Sequence, residues 1–215
     1  MSAAGGDVEN VVDGILRDAA CRFGLALDGT CRERLARYAL LVDKWGQLTN
    51  LTGARGSVTF VREHIVDSLA LVPHVGAGPV LDVGSGAGLP GLVLAITRPE
   101  LAVTLLEPRQ RRARFLTQAR IELALDNVDV RAARIEALPA GTRFHTIVSR
   151  AFASLATFVE LALPRLASGG ELLAMKGGVD AADRAAAARL AGPATVIPLA
   201  VPGFRERHLV RFAPP

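Results

Sequence analysis

Cysteine, lysine and long apolar runs are all scarce in this sequence. Its two cysteines, Cys21 and Cys31, are too few for a disulfide framework, and neither has zinc ligands nearby, so we expect no metal site. No run approaches the roughly 18 apolar residues of a membrane-spanning helix. The first residues also lack the basic start and apolar core of a secretory signal. We therefore expect a cytoplasmic protein without a membrane partner.

The shortage of lysine contrasts with an abundance of arginine: of 25 basic residues, only Lys44 and Lys176 are lysines. A net charge of +4 fits a nucleic-acid partner but does not require one, because an arginine bias can reflect phosphate binding or genomic base composition equally well. A chain of 215 residues, 50% of them hydrophobic, is long enough to form one domain with a sizeable core. We expect a single domain over residues 1–215, and a monomer.

A glycine-rich turn at residues 84–91 organises the rest of the sequence. The apolar run 80–83 precedes it and a second apolar run, 89–96, follows it, which is typical of a buried strand, a tight turn and a helix N-terminus. Glycines permit positive φ and let a ligand approach the backbone closely. The spacing is G-x-G-x-G, unlike the G-x-G-x-x-G of a dinucleotide fold. Asp82 would repel a pyrophosphate and could receive an ammonium group.

A second apolar strand, 103–106, ends in Glu107. An acid at the carboxyl end of that strand can accept hydrogen bonds from ribose hydroxyls. The turn and Glu107 together indicate a nucleoside-containing cofactor, and the glycine spacing favours S-adenosylmethionine over NAD.

Three amphipathic helices, at 7–23, 30–48 and 57–72, are predicted before the first strand. A capping box of Thr30 and Glu33 is expected to begin the second helix, and Ser57 to cap the third. The apolar face of the first helix comprises Val8, Val11, Val12, Ile15, Leu16, Ala19 and Phe23. The helices form a helical cap over residues 7–75, which either covers the sheet or serves substrate recognition.

Strand and helix patterns alternate over residues 79–213, which predicts an α/β fold with a doubly wound, mostly parallel sheet. Only residues 201–206 separate the last two strands, so these must form an antiparallel hairpin. This is the layout of the Rossmann-like class I S-adenosylmethionine-dependent methyltransferase sheet. The predicted strands are 79–84, 102–107, 127–131, 144–149, 170–176, 194–200 and 207–213. The helices between them are 89–97, 109–124, 154–166 and 180–190.

Ligands bind outside the carboxyl ends of the strands in such sheets, so the candidate residues are those that follow each strand. Ile135 and Glu136 could enclose an adenine; without the neighbouring glycine turn, Glu136 would be interpreted as a solvated loop acid. A cluster of arginines opens the helix after the second strand, where phosphate contact and a solvated face are equally expected. The cluster comprises Arg109, Arg111, Arg112 and Arg114.

His64, Asp67 and Ser68 are neighbours at i, i+3 and i+4 on the third predicted helix. They cannot form a catalytic triad, because a hydroxyl one turn from its base on the same helix points alongside it. We expect a local hydrogen-bonded cap of the helix against the sheet in preference to a contact with substrate.

Two motifs of nucleic-acid methylation are missing. Residues 149–152 are Ser-Arg-Ala-Phe, not the Asn/Asp-Pro-Pro-aromatic motif that serves transfer to an exocyclic amine. Neither cysteine lies in the sheet half, where it could activate a pyrimidine carbon. These absences favour an acceptor that is already nucleophilic, such as guanine N7. We therefore expect no covalent nucleophile and no general base; catalysis comes from positioning and charge complementarity.

Six segments carry a resemblance to a known family. They are 50–52, 64–68, 81–91, 147–155, 176–177 and 207–210. In this order they resemble the bacterial 16S rRNA guanine-N7 methyltransferase G family, also called the glucose-inhibited division protein B family, over roughly residues 10–213. The Leu89-Pro90-Gly91 continuation and residues 149–155 are specific to that family, whereas the glycine turn occurs in many methyltransferases.

The resemblance implies methyl transfer from S-adenosylmethionine to N7 of a guanine in 16S rRNA of the small ribosomal subunit. Gly84 and Leu89, with Gly86 in the same turn, would line the methionine end of the cofactor. Ile135 and Glu136 would hold the adenine, Arg150 would lie in the cofactor pocket, and Glu107, where many members have Asp, would take the ribose. The residues implied to contact or position the target are Asn50, His64, Asp67 and Lys176. The resemblance does not extend to the arginine cluster, since members often have Lys or Gly at residues 108–110; Arg109, Arg111 and Arg112 are candidate phosphate contacts from their position at the sheet edge alone.

Two other functions remain open from the residues alone. A small-molecule methyltransferase would use the same sheet, but its activity would be indifferent to salt, unlike RNA binding. A non-catalytic module would share the fold without binding S-adenosylmethionine.

Overall fold

The computed structural model describes residues 3–46, 51, 53, 56–150, 152 and 154–214. The strands are β1 (Val80–Val83), β2 (Val103–Leu106), β3 (Val128–Arg131), β4 (Phe144–Arg150), β5 (Leu166–Lys176), β6 (Ala194–Pro198) and β7 (His208–Phe212). They form a seven-stranded sheet in the order β3-β2-β1-β4-β5-β7-β6. The strands from β1 to β5 pair in parallel, and β7 runs antiparallel to both β5 and β6. The predicted parallel sheet and its terminal hairpin are confirmed.

The helices follow the predicted order. They are α1 (Ala3–Phe23), α2 (Gly29–Gly46), α3 (Ser57–Phe60), α4 (Val66–Leu69), α5 (Gly91–Thr97), α6 (Gln110–Glu122), α7 (Leu155–Ala162) and α8 (Ala181–Ala191). No helix in the described part of the chain is long and apolar enough to cross a bilayer.

The apolar core has two parts, one on each face of the sheet. Side chains of α1, α2, α4, α5 and α6 pack in one cluster, which includes Leu16, Tyr38, Leu92 and Phe115. Those of α7 and α8 pack in the other, which includes Phe158. Full burial of each large side chain stabilises the fold by about 1.5–3 kcal/mol. The N-terminal helices therefore share a core with the helices that follow β1 and β2.

The apolar face of α1 is shorter than predicted. Val12 and Leu16 are buried, whereas Val8 is 37% exposed and Val11 is 44% exposed. Val8 lies one turn before Val12 on the same face, so the packing of this helix begins at Val12.

Two predicted helix caps are wrong. Helix α2 begins at Gly29, and the side chain of Asp28 accepts a hydrogen bond from the Cys31 N–H at 2.7 Å, in place of the box expected from Thr30. An aspartate is at least as good an N-cap as threonine, and here it comes first in the chain. Ser57 is the first residue of α3, not its cap; Gly56 precedes it with φ 83°.

The third predicted helix is not a regular α-helix. It consists of α3, a π-helical turn at Val61–Ile65, α4 and a short 3-10 turn at Val72–His74. A π-helical turn holds one more residue than an α-helical turn. His64 lies within this wide turn, and Asp67 follows it in α4.

Candidate active site

The glycines after β1 differ in what surrounds them. Gly84, Gly86 and Gly88 have φ of 74°, 57° and 98°. A methyl group on Gly88 would collide with Leu92, whereas one on Gly84 would meet no atom within 4 Å. Gly88 thus serves packing, and Gly84 leaves an open stretch of backbone that a ligand can approach.

Asp82 lies beneath this turn, fully buried. Its Oδ2 accepts a hydrogen bond from the Gly91 N–H at 2.9 Å, at the start of α5. The expectation that Asp82 receives an ammonium group is therefore wrong, because its side chain is buried and not accessible to a ligand. Burial raises the pKa of this carboxyl to about 7. The carboxyl also occupies the helix N-terminus that a pyrophosphate would need.

Glu107, directly after β2, stabilises the glycine turn by hydrogen bonds. It is 3% exposed; its Oε2 accepts the Gly86 N–H and its Oε1 the Arg109 N–H, both at 2.9 Å. Each carboxylate oxygen has a second lone pair, so the group retains capacity for a ribose hydroxyl.

Two adjoining spaces border Gly84. An apolar slot of about 110 Å³ lies between the ends of β1, β2 and β3 and is lined by Val83, Leu106, Ile135 and Leu161 among others. Ile135 is buried in its wall, and Glu136 is exposed at its rim. The open space beside it, which we call the donor cleft, measures about 300 Å³ and is lined by Val83, Gly84, Glu107, Pro108, Arg109, Arg112, Arg150 and Phe152.

A third space, the acceptor cleft, lies on the other side of Arg150. It measures about 470 Å³ and is lined by Glu63, His64, Asp67, Arg150, Phe152, Met175, Lys176, Gly177, Gly178, Phe204 and Arg207. Arg150 and Phe152 border both clefts. The two clefts therefore meet at the carboxyl end of β4.

Asp67 links two arginines across this edge. It is 2% exposed; its Oδ2 lies 3.3 Å from Arg150 Nη1, and its Oδ1 lies 3.0 Å from Arg207 Nε. Arg207 also stacks 4.0 Å from the centroid of the Phe204 ring. Asp67 does bond the helix to the sheet, as expected, but not locally, because its partners come from β4 and from the residue before β7. The structure makes Asp67 a positioning residue for Arg150.

The surroundings of His64 favour the neutral form of its ring. Its Nδ1 lies 3.4 Å from Arg150 Nη1, and burial, then the charge of Arg150, lower the pKa of His64 below its usual 6.5. Ser68 donates its hydroxyl to the His64 carbonyl oxygen at 2.9 Å, a local bond of the expected kind. The hydroxyl thus bonds to backbone and not to the ring, which excludes a triad of these residues.

Of the remaining candidates, some border a cleft and others do not. Lys176 Nζ donates to the carbonyl oxygen of Phe152 at 2.8 Å and so fixes the shared wall. Leu89 packs in the apolar core at 4% exposure and does not line the donor cleft or the acceptor cleft. Arg109 and Arg112 border the donor cleft, whereas Arg111 is exposed outside it. Asn50 lies outside the described residues.

Sequence reasoning missed two contributors to this site. Tyr38, which lies within the second predicted helix, donates its buried hydroxyl to the Ala87 carbonyl oxygen at 2.6 Å and so stabilises the glycine turn. A tyrosine within an apolar face was the available signal, because a buried hydroxyl needs a partner. Arg207 was part of the family resemblance, but nothing in its local pattern set it apart as a site residue. Phe152 follows the fourth strand, where candidate residues were expected.

These residues fit S-adenosylmethionine. The open backbone at Gly84 allows close passage, the apolar slot suits a flat base, and Glu107 can accept from a ribose. The site suits a dinucleotide less well. A pyrophosphate would need the free N–H groups at the start of α5, and the Asp82 carboxylate already accepts the first of them.

Comparison with known proteins agrees with this geometry. The chain is similar to the ribosomal RNA small subunit methyltransferase G of Methylobacillus flagellatus, with 44% identity over 88% of this chain and 92% of that one. It is 41% identical to the enzyme of the same name from Nitrosospira multiformis, over 91% and 94% of the two chains. A solved 16S rRNA N2 methyltransferase from T. thermophilus, in complex with AdoMet and guanosine, shares the fold at TM-score 0.59 and 21% identity, covering 71% of this chain and 43% of that one. The family described as GidB, rRNA small subunit methyltransferase G, matches residues 31–210. The chain therefore belongs to the rRNA small subunit methyltransferase G family.

Proposed function

We propose that this protein methylates N7 of a guanine in 16S rRNA of the small ribosomal subunit. Family membership makes the chain an S-adenosylmethionine-dependent rRNA methyltransferase; the proposal adds the acceptor atom and the way it reacts. The observation that carries it is the junction of the donor and acceptor clefts at Arg150 and Phe152. A base in one cleft and a methyl donor in the other can approach each other only there.

When bound, S-adenosylmethionine supplies a methyl group on a positively charged sulfur, open to direct attack by the N7 lone pair. N7 carries no proton, so the chain's residues need only hold the two reactants in line. Gly84, Ile135 and Glu107 hold the donor. Arg150 lies where the clefts meet, and Asp67 offsets its charge, so a second positive charge can lie nearby at a smaller electrostatic cost.

The target guanine would enter the acceptor cleft. Guanine presents O6 and N7 as neighbouring acceptors, so a donor aimed at O6 orients N7 towards the other cleft. Lys176 lines the acceptor cleft, and its ammonium group is a hydrogen-bond donor. We propose that Lys176 donates to O6 and that neutral His64 lines the base; Asn50 is proposed to contact the target on the strength of the family resemblance alone.

The arginines at the start of α6 are proposed to hold RNA phosphates next to the clefts. Arg109 and Arg111 are exposed, and neither guanidinium has a hydrogen bond or ion pair within the described part of the chain. Exposed arginines in a row suit a phosphate backbone, whose neutralisation releases counterions.

The chain is further proposed to act in the cytoplasm as a monomer and a single domain. The shared apolar cluster of α1, α2, α5 and α6 supports the single domain, because the helical cap has no core separate from that of the sheet.

The test is a methylation assay with tritiated S-adenosylmethionine on small-subunit RNA from a strain that lacks the enzyme, run on protein-free RNA and on intact subunits side by side. We expect incorporation at one guanine, with cleavage chemistry specific for 7-methylguanine at that position. No incorporation into either substrate would contradict the proposal, and a methyl group on an exocyclic amine would contradict its acceptor atom.

A further inference from the structure

We propose that Glu63 determines which base is methylated, by accepting hydrogen bonds from N1–H and the N2 amino group of the target guanine. The inference deepens the proposed function and rests on it. Glu63 lies in the π-helical turn Val61–Ile65, next to His64, and it lines the acceptor cleft. The residue is exposed, so its carboxylate is accessible to a base that enters this cleft.

The acceptor cleft has two carboxylates among the described residues that line it, and they differ in availability. Both oxygens of Asp67 are engaged, Oδ2 at 3.3 Å from Arg150 Nη1 and Oδ1 at 3.0 Å from Arg207 Nε. The carboxylate of Glu63 has no hydrogen bond or ion pair with any residue that the structure describes. Glu63 therefore keeps its lone pairs available to a ligand, whereas Asp67 serves the two arginines.

Glu63 lies on a border of the acceptor cleft that is not shared with the donor cleft. Arg150 and Phe152 border both of these clefts. Glu63 and Phe204 instead border both the acceptor cleft and a groove of about 580 Å³ that lies beside α1. A base in the acceptor cleft can thus face the methyl donor with one edge and Glu63 with another.

The geometry of guanine matches this arrangement. Its N2 amino group lies across the ring from N7, so a guanine whose N7 faces the junction at Arg150 and Phe152 directs its N1–H and N2 away from that junction. Enzymes that act on an unstacked base read it by hydrogen bonds to its Watson–Crick edge. A contact of Glu63 with that edge would leave the N7 lone pair free to attack the methyl group.

A carboxylate selects guanine because of the order of donors and acceptors on that edge. N1–H and the N2 amino group are adjacent donors, and the two oxygens of one carboxylate can accept from both. Adenine and cytosine each have a ring-nitrogen acceptor beside the amino group, and uracil has one N–H between two carbonyl groups. In each of these bases a carboxylate oxygen would face another acceptor, which is electrostatically unfavourable. Glu63 would therefore both favour guanine and reject the other bases.

The test compares guanine with inosine, which lacks the N2 amino group but retains N7, O6 and N1–H. Small-subunit RNA is ligated from segments with either nucleoside at the target position, and kcat/KM for methylation is measured on the RNA and on subunits reconstituted from it. We expect the wild type to prefer guanine about 10- to 100-fold, as loss of a hydrogen bond to a charged group implies. Glu63→Ala should methylate both RNAs at equal kcat/KM, and Glu63→Gln, which keeps one acceptor oxygen, should fall between the two.

Glu206→Ala is the matched control. Glu206 is an exposed acid that does not line the acceptor cleft, although its Oε2 lies 3.8 Å from the position that a methyl group on Gly178 would take. Loss of this charge should affect both RNAs equally and leave the preference for guanine as in the wild type. Circular dichroism and thermal melting verify that each variant is folded.

Four outcomes would contradict the proposal. A wild-type preference in Glu63→Ala would make Glu63 a solvated surface acid, and an equal loss of kcat/KM on both RNAs would make its role structural. Loss of the preference in Glu206→Ala alone would assign the contact to Glu206. A wild type that methylates guanine and inosine equally would refute base selection by this carboxylate and leave the proposed function intact. A wild type that methylates neither RNA would contradict the proposed function itself.

Discussion

At the scale of single residues, glycines of the turn share a backbone conformation but have different roles. Gly84 and Gly88 both have positive φ, but space is open beside the first and filled beside the second. A substitution at Gly84 therefore affects ligand binding, whereas one at Gly88 affects packing.

We expect Gly84→Ala to fold but to bind S-adenosylmethionine more weakly. The left-handed backbone costs an alanine about 1–2 kcal/mol of stability, and the new methyl group enters the space where the donor passes. Gly141→Ala is the control, because Gly141 has φ 83° and equally open surroundings but lies in a loop away from the clefts. Calorimetry and urea denaturation should show similar losses of stability and a loss of affinity at Gly84 only; wild-type affinity in Gly84→Ala would mean that the donor does not pass this turn.

Asp82 should give stability a pH dependence of its own. Burial raises its pKa from the usual 3.8 to about 7, so the folded state holds the proton more tightly than the unfolded state. Its contribution to the free energy of unfolding is complete below about pH 4 and is lost as pH rises through about 7. Asp82→Asn keeps an oxygen for the Gly91 N–H but cannot ionise. Urea denaturation across this range should show a flatter profile for the variant, and parallel profiles would refute the assignment.

The sequence predicted the positions of most of these residues, but not the directions in which their side chains point. Glu107, Ile135 and Arg150 were predicted at the sheet edge, because the ends of apolar strands can be recognised from composition and spacing. The inward direction of Asp82 could not be predicted, since β1 is buried on both faces and such a strand has no apolar–polar alternation.

At the scale of secondary-structure elements, periodicity predicted the bounds well but missed local irregularity. The segment 57–72 shows a helical period, and Val61, Ile65 and Leu69 are buried. The π-helical turn at Val61–Ile65 was missed, because one extra residue in a turn hardly disturbs that pattern. Arg207 was missed because local patterns predict the β6–β7 hairpin without showing which of its strands pairs with β5. Since β7 is that strand and runs antiparallel, its first residues lie at the carboxyl edge of the parallel strands.

The ion pairs of Asp67 should hold α4 against the sheet. We expect Asp67→Asn to lower the free energy of unfolding by about 1–3 kcal/mol, less than for a fully buried pair because both arginines are partly exposed. The methylation rate should also fall, since Arg150 loses its positioning partner.

The exposed pair of Asp129 and Arg131 provides the control. Asp129→Asn should cost less than about 1 kcal/mol, as surface pairs do. Equal losses in the two variants, measured by urea denaturation, would show that Asp67 contributes no more than a surface charge.

At the scale of the whole molecule, arginines on opposite faces allow RNA binding to be separated from net charge. Replacing Arg111 and Arg114 on α6 by Gln should weaken RNA binding and reduce the slope of log K against log salt by about 0.7–0.9 for each lost phosphate contact. Replacing Arg184 and Arg189 on α8 removes the same charge from exposed positions on the other face of the sheet, and should change neither quantity. Filter binding over a range of salt concentrations measures both. Equal effects of the two pairs would mean that only the overall charge matters.

The hydrogen bond from Tyr38 to Ala87 has a consequence for the order in which the protein matures during translation. It joins residues 49 positions apart, and the apolar faces of α1 and α2 pack against helices that follow β1 and β2. A nascent chain grows from its N-terminus, so these early helices leave the ribosome before their partners exist. We expect α1 and α2 to remain protease-sensitive on stalled nascent chains until α6 has emerged. The glycine turn should become rigid at the same stage.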